Sequence, residues 1–285
     1  MGINMKNPTI MITGTHGFVG ARAAQRYPDA ICVPSELVRD AGDALTDFIK
    51  AYNPDIILNA AAISDIGVCE KNPEASYAAN VKLPVLLAEA ANRVNAKLIS
   101  FSSDQVYTGC AEEGPYRESD VLPTPANLYA RHKLEAEERV LAISPNAVLL
   151  RASWMYDMPM YAHANRGNFL LNTIGAVLQG KELCFSSEEY RGITYVREVV
   201  EQLDRVFDLP GGVYNYGSEN SLHMLETVQS LLHALGTAYR VQDTERRRHY
   251  LWMDCSKIKQ QGIYFDTTAD GLKRCLKDYG YHITV

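Results

Sequence analysis

A chain of 285 residues with 28 Lys plus Arg against 34 Asp plus Glu carries a formal charge of -6. That length allows one large domain or two that share a core, and an apolar fraction of 47% with a charged fraction of 22% excludes disorder and fibrous repeats. The acidic balance also argues against a nucleic-acid or anionic-membrane binder, since both need a basic footprint.

The first 150 residues alternate short apolar runs with longer amphipathic ones. Thr9 to Thr13 (TIMIT) reads as a strand that ends in a glycine turn, and Phe18 to Tyr27 continues as a helix. Ala30 to Val33 is a second strand, stopped by Pro34; Asp43 to Tyr52 is a helix, and Asp55 to Leu58 a strand that runs into Asn59-Ala-Ala-Ala. Pro73 to Val94 has helical spacing, Lys97 to Phe101 is a strand, Leu128 to Leu141 a helix and Ala147 to Leu150 a strand. After Arg151 the rhythm breaks in a stretch rich in Met, Tyr, Asn and Pro. It then resumes with helix Val196 to Phe207, strand Val213 to Tyr216 and helices Leu222 to Leu235 and Ala269 to Tyr279.

Strands that are apolar throughout need cover on both faces, which predicts an α/β fold with a doubly wound parallel sheet of Rossmann type and a smaller C-terminal α/β lobe. Residues 1–157 plus 192–217 are expected to form the dinucleotide-binding domain. Residues 158–191 plus 218–285 are expected to form a substrate lobe at the carboxyl edge of the sheet, where open α/β sheets bind ligands. The six cysteines (32, 69, 110, 184, 255 and 275) are scattered with no zinc spacing, so the expectation is no metal and free thiols, mostly small buried hydrophobes, in a reducing cytoplasm. Neither a signal peptide nor an apolar run of membrane length is visible, so a soluble protein that is not exported is expected.

Gly14-Thr15-His16-Gly17-Phe18-Val19-Gly20 is G-x-x-G-x-x-G placed between the first strand and the first helix. The first glycine permits a tight turn, the second lets backbone approach a pyrophosphate, and the third allows helix and strand to pack closely. The second strand ends in Cys32-Val33-Pro34-Ser35 with no acid before Glu36, whereas Ser35 and Arg39 could accept a 2'-phosphate. NADP is therefore favoured over NAD.

Tyr129 and Lys133 are four apart on a predicted helix and share a face. An ammonium beside a phenol lowers its pKa and lets Tyr act as an acid or base near neutral pH. Ser102 and Ser103 emerge at the end of the Lys97 strand, where a hydroxyl can hydrogen-bond a substrate carbonyl. Each pattern alone also fits an incidental surface pair or an ordinary loop.

Taken in order, GTHGFVG, NAAA, Ala78-Ala-Asn-Val81, SSDQVY, Pro125, YARHK and Leu150-Arg-Ala-Ser-Trp-Met-Tyr156 resemble the extended short-chain dehydrogenase/reductases. Within that superfamily the chain looks like the dTDP-4-dehydrorhamnose reductase family, with Arg247 to Lys257 a further sign. The resemblance implies that Tyr129 protonates a carbonyl oxygen as hydride arrives from a nicotinamide, that Lys133 lowers the Tyr129 pKa and binds the nicotinamide ribose, and that Ser103 polarises the carbonyl. It places Asn80 as a positioning residue and Asn59, Ala60, Ala61 and Ala62 along the cofactor.

Arg191-Gly-Ile-Thr-Tyr-Val-Arg-Glu-Val-Val200 is similar to a segment whose first Arg contacts the diphosphate of a nucleotide sugar, a task suited to a bidentate guanidinium. Substrate-side candidates are Asp104, Trp154, Asn168, Arg191 and Arg247, although Arg246 to Arg248 read equally well as a solvated cluster. The family's D-Q-x-G-x-P-T stretch is Glu189 to Thr194 here, without its proline, and Asp157 replaces a usual glycine; both departures bear on the sugar and nucleotide. A 4,6-dehydratase is disfavoured because Gln105 replaces the glutamate it needs as a base. An epimerase or a non-catalytic dinucleotide-binding regulatory subunit stays open, as does a homodimer.

Overall fold

The computed structural model describes residues 8–110, 113–122, 124–160, 167–244 and 249–283. β1 (Ile10–Thr13) leads through the glycine turn into α1 (Phe18–Arg26), β2 (Ile31–Cys32), α2 (Ser35–Asp40) and α3 (Asp43–Tyr52). Next come β3 (Ile56–Asn59), α4 (Ile66–Lys71) and α5 (Pro73–Tyr77), which passes through a π-helical turn at Ala78–Lys82 into α6 (Leu83–Val94). β4 (Lys97–Ser103) ends in a 3-10 turn at Asp104–Tyr107, and α7 (Leu128–Ile143) and β5 (Val148–Ala152) close the first half. The helix expected over 73–94 is thus interrupted at Asn80 by a π turn, a feature that often marks functional positions.

The central sheet has six strands in the order Gly212–Tyr216, β5, β4, β3, β1, β2. β1 runs parallel to both β2 and β3, and β3 parallel to β4, with Thr13 opposite Asn59 and Asn59 opposite Ser100. All four residues of β1 and of β3 are buried, as expected for a sheet covered on both faces. From β1 the chain first goes out to β2 and then returns to β3 on the other side. The carboxyl ends of β1 and β3 are therefore the topological switch point. Beneath them Met11, Leu45, Ile49, Ile57, Leu87 and Leu98 pack as one core.

The chain divides into two compact units: residues 1–106, 124–151 and 203–214, and residues 107–123, 152–202 and 215–285. Segments 107–123, 152–157, 192–202 and 215–217 go with the second unit, not the first as expected; for 152–157 and 192–202 the reason is that strand Trp154–Tyr156 pairs with Ile193–Tyr195 in a separate two-stranded sheet. The second unit also holds helix Phe169–Leu178, parallel pairs Leu183–Phe185 with Val241–Asp243 and Glu189–Arg191 with His249–Leu251, and helices Met224–Ala234 and Thr268–Asp278. The helix expected over 196–207 breaks at Gln202. All six cysteines are free, but Cys32, on the short outer strand β2, and Cys184 are exposed and not buried as expected.

Candidate active site

The turn after β1 depends on contacts that only glycine permits. Gly14 has φ +71°, and a Cβ there would lie 2.6 Å from the Ala61 nitrogen and 2.7 Å from the Ala60 carbonyl carbon at the end of β3. A Cβ on Gly20 would meet the Gly14 carbonyl oxygen at 2.2 Å, so α1 packs directly on the turn. Gly17 caps α1 without a side chain and its first turn carries no acid, which leaves leading N–H groups and the positive dipole end for an outside acceptor. A diphosphate fits such a cradle.

A buried polar ladder holds the strand ends in register. Thr13 Oγ1 donates to Asn59 Oδ1 at 2.7 Å, and Asn59 Nδ2 donates to Ser100 Oγ at 3.0 Å. Asn59 Oδ1 also accepts the Ala61 N–H at 3.2 Å, so this side chain shapes the wall formed by residues 60–62. Ser35 Oγ lies 3.2 Å from His16 Nδ1, which ties the exit of β2 to the glycine turn. Arg39 is exposed and pairs with Glu36 at 3.7 Å. A second cation near the turn, not singled out from the sequence, is Arg22, stacked 4.2 Å above the ring of Phe18 beside Val19.

The start of α7 is fixed from three directions. Asn127 Oδ1 accepts the Ala130 N–H at 2.8 Å, Asn127 Nδ2 donates to Gln105 Oε1 at 3.2 Å, and Glu70 Oε1 accepts the Leu128 N–H at 2.8 Å. Tyr129 in the first turn and Lys133 one turn later are both buried. Lys133 Nζ donates to the Phe101 carbonyl at 2.9 Å and lies 5.8 Å from the centroid of the Tyr129 ring. Ser103 Oγ accepts the Gln105 N–H and donates to Asp104 Oδ1, both at 3.2 Å.

The electrostatics correct one expectation. Burial pushes the Tyr129 phenol above its ordinary value; a hydrogen bond with Ser103 opposes the rise, and the Asp104 charge adds to it. Lys133 does not reverse this, because its ammonium is turned to the Phe101 carbonyl. Burial also brings Lys133 down to about 8, against the pull of Glu137 and Cys69. The phenol is thus held protonated.

Asn80 is fully buried in the π turn. Its Nδ2 donates to the Ile63 carbonyl at 2.9 Å and to Ser76 Oγ at 3.2 Å, while its Oδ1 has no hydrogen-bond partner in the protein. Ser76 Oγ in turn lies 2.9 Å from His132 Nδ1. A buried ion pair between Glu137 and Arg151 was also missed from the sequence; its only signal there was Glu137 one helical turn beyond Lys133.

The other candidates belong to the second unit. The Arg191 guanidinium carbon lies 5.1 Å from the ring of Trp154, which is 38% exposed. Asn168 caps helix Phe169–Leu178, accepting the Leu171 N–H at 3.1 Å and donating to the Asp157 carbonyl at 2.8 Å, so both ends of its amide serve the fold. Arg247 lies outside the described residues. Among the described residues no three His, Cys, Asp or Glu side chains cluster as a metal site, and no helix is long and apolar enough to cross a membrane.

With this geometry in hand, comparison with known proteins adds a family. The family described as RmlD substrate binding domain matches residues 8–280. The chain belongs to it. A dTDP-4-dehydrorhamnose reductase from Aggregatibacter actinomycetemcomitans is 28% identical over 217 residues, covering 73% of this chain and 71% of that protein. Another from Mycobacterium tuberculosis is 35% identical over 158 residues, 53% of this chain and 51% of that one. Among solved structures, a Bacillus anthracis dTDP-4-dehydrorhamnose reductase in complex with NADP superposes with a TM-score of 0.82 at 20% identity, over 97% of this chain and all of that one. At that identity the superposition shows a shared fold. Membership of the family agrees with the Rossmann-type sheet and covers both compact units.

Proposed function

We propose that this protein reduces the 4-keto group of a nucleotide-linked deoxysugar with NAD(P)H, in the manner of a dTDP-4-dehydrorhamnose reductase. The observation that carries the reading is the buried set of Ser103, Tyr129 and Lys133 at the end of β4, in the same unit as a glycine cradle at the switch point. The residues fit a dinucleotide. Gly14, Gly17 and Gly20 would leave room for the diphosphate, Ser35 lies at the exit of β2 where the 2'-position is read, and Asn80 offers a buried acceptor. When bound, the dinucleotide supplies the hydride that reduces the carbonyl carbon.

The protein's own residues supply the proton and the electrostatics. Ser103 donates a hydrogen bond to the carbonyl oxygen and Tyr129 transfers its phenolic proton to the same oxygen, giving the alcohol. Burial keeps the phenol in the protonated form that this direction needs at the outset, while making it a weaker acid. Once that proton has left, Lys133 is the cation available to the phenolate. Arg191, always charged, is our candidate for the substrate diphosphate, and Trp154 beneath it for an adjoining ring. The six free thiols accord with a cytoplasmic setting.

Purified protein given a dTDP-4-keto-6-deoxyhexose should oxidise NADPH or NADH. Tyr129→Phe should lower turnover by about 10² or more while leaving cofactor affinity intact. Cofactor binding without oxidation across a panel of 4-keto sugars would overturn the reading in favour of a regulatory dinucleotide-binding role.

A further inference from the structure

Three consecutive residues of β4 each engage the catalytic helix or its chemistry. The Phe101 carbonyl accepts from Lys133 Nζ at 2.9 Å, Ser102 Oγ donates to Glu137 Oε1 at 2.5 Å, and Ser103 carries the candidate catalytic hydroxyl. Lys133 and Glu137 are one turn apart on the same face of α7. From β5, Arg151 grips Glu137 with a fork, Nε donating to Oε1 at 3.0 Å and Nη2 to Oε2 at 2.6 Å. The side chains of Arg151 and Glu137 are 3% and 4% exposed, so this is a fully dry ion pair.

An Arg–Glu pair removed from water gains little net stability over an apolar replacement, because desolvation offsets the attraction. Its position one turn from a buried ammonium suggests a different reason for it. We propose that Glu137, clamped by Arg151 and Ser102, is a positioning residue that fixes the height of α7 on β4 and holds the counter-charge that keeps Lys133 protonated. The inference deepens the proposed function, since it rests on Lys133 as the cation beside Tyr129.

The groups facing Lys133 are few. Tyr129 and Glu137 share its helix, β4 presents the Phe101 carbonyl, and α4 presents the Cys69 thiol. From α5 Ser76 engages His132 instead, and from α6 Asn92 reaches the far end of α7 at the Ile143 carbonyl. Of these, Glu137 is the strongest influence that holds the lysine's proton against burial.

The test reads Lys133 itself. In protein labelled with 13C at the lysine ε-carbons, the Lys133 signal is identified by its loss in Lys133→Arg and titrated from about pH 6 to about pH 11. In the native chain the midpoint should fall near 8. Glu137→Gln should lower it by about one pH unit or more, and Glu137→Asp should return part of that shift. Because Glu137→Gln leaves the buried Arg151 guanidinium without its carboxylate, Glu137→Gln combined with Arg151→Gln is measured as well, with a smaller shift in the same downward direction expected, since this variant removes a positive charge along with the negative one. An unmoved midpoint in either folded variant overturns the proposal. Cofactor oxidation by 4-keto sugars is assayed on the native chain in parallel. No turnover together with a shifted midpoint defeats the proposed function and leaves the role of Glu137 standing; turnover together with an unmoved midpoint does the reverse.

Discussion

Replacing Lys133 by Met removes the ammonium and keeps an unbranched side chain of similar length. The native lysine is brought by burial from an ordinary 10.5 down to about 8. At about 1.4 kcal/mol per pH unit, that difference is worth about 3 kcal/mol of stability linked to pH. The sign follows from which state holds the proton. Below pH 8 both states bind it and the full cost of burying the charge is present. Between pH 8 and 10.5 the unfolded chain keeps the proton while the folded chain releases it, so native stability rises with pH relative to the variant. The Lys133→Met change also removes the hydrogen bond from Lys133 to the Phe101 carbonyl, at a cost of about 1–3 kcal/mol that does not depend on pH. These two effects oppose each other in the absolute stability, whereas only the first has a slope with pH. Urea unfolding followed by circular dichroism at several pH values should show the native-minus-variant difference climbing by about 3 kcal/mol across that window. A flat difference would refute the claim that Lys133 is folded as a desolvated cation.

Two further outcomes are expected. Gly20→Ala places a Cβ 2.2 Å from the Gly14 carbonyl oxygen, so α1 must shift; NADPH affinity, read by fluorescence titration, should drop about tenfold or more, and unchanged affinity would remove Gly20 from the cradle. In the second unit, burial raises Glu198 from an ordinary 4.5 to about 7 despite the Asp266 N–H it accepts at 2.8 Å. A raised carboxyl costs stability once ionised: nothing below pH 4.5, progressively more up to pH 7, and the full amount above. Glu198→Gln should match the native chain at about pH 4 and exceed it by about 3 kcal/mol at about pH 8 in urea unfolding; equal stability at both values would show that Glu198 is not desolvated.

The sheet was legible because β1 and β3 are apolar up to their last residues, Thr13 and Asn59, a pattern that suits a parallel strand covered on both faces. Ser103, Tyr129 and Lys133 stood out in the sequence as residue types at a spacing, and all three are buried. What spacing cannot carry is direction. The Tyr129 and Lys133 pair suggested an ammonium aimed at a phenol, but whether it turns to the ring or to a strand carbonyl is decided by Phe101, 32 residues away. Asn59 and Asn168 show the same limit. As polar residues at the right places they read as ligand contacts, yet the fold uses both ends of each amide, in the strand ladder and in a helix cap. The division into units was misplaced near residues 152–157 and 192–202 because pairing between two three-residue strands leaves almost no periodic signal.

Gln105 bears on the choice of reaction. In a 4,6-dehydratase the residue after the aspartate must take a proton from carbon, and an amide cannot. Here residue 105 has other work: its backbone N–H donates to Ser103 Oγ at 3.2 Å, and its side-chain Oε1 accepts from the Asn127 that caps α7. One residue thus orients the candidate hydroxyl and anchors the helix that carries Tyr129 and Lys133. A glutamate at 105 would keep an acceptor for Asn127 and add a negative charge next to Asp104, whose charge already raises the Tyr129 phenol. That would push the phenol further up and make its proton harder to give away. Chemistry that needs only a proton donated to oxygen is served by the neutral amide, which is why the site favours carbonyl reduction over elimination.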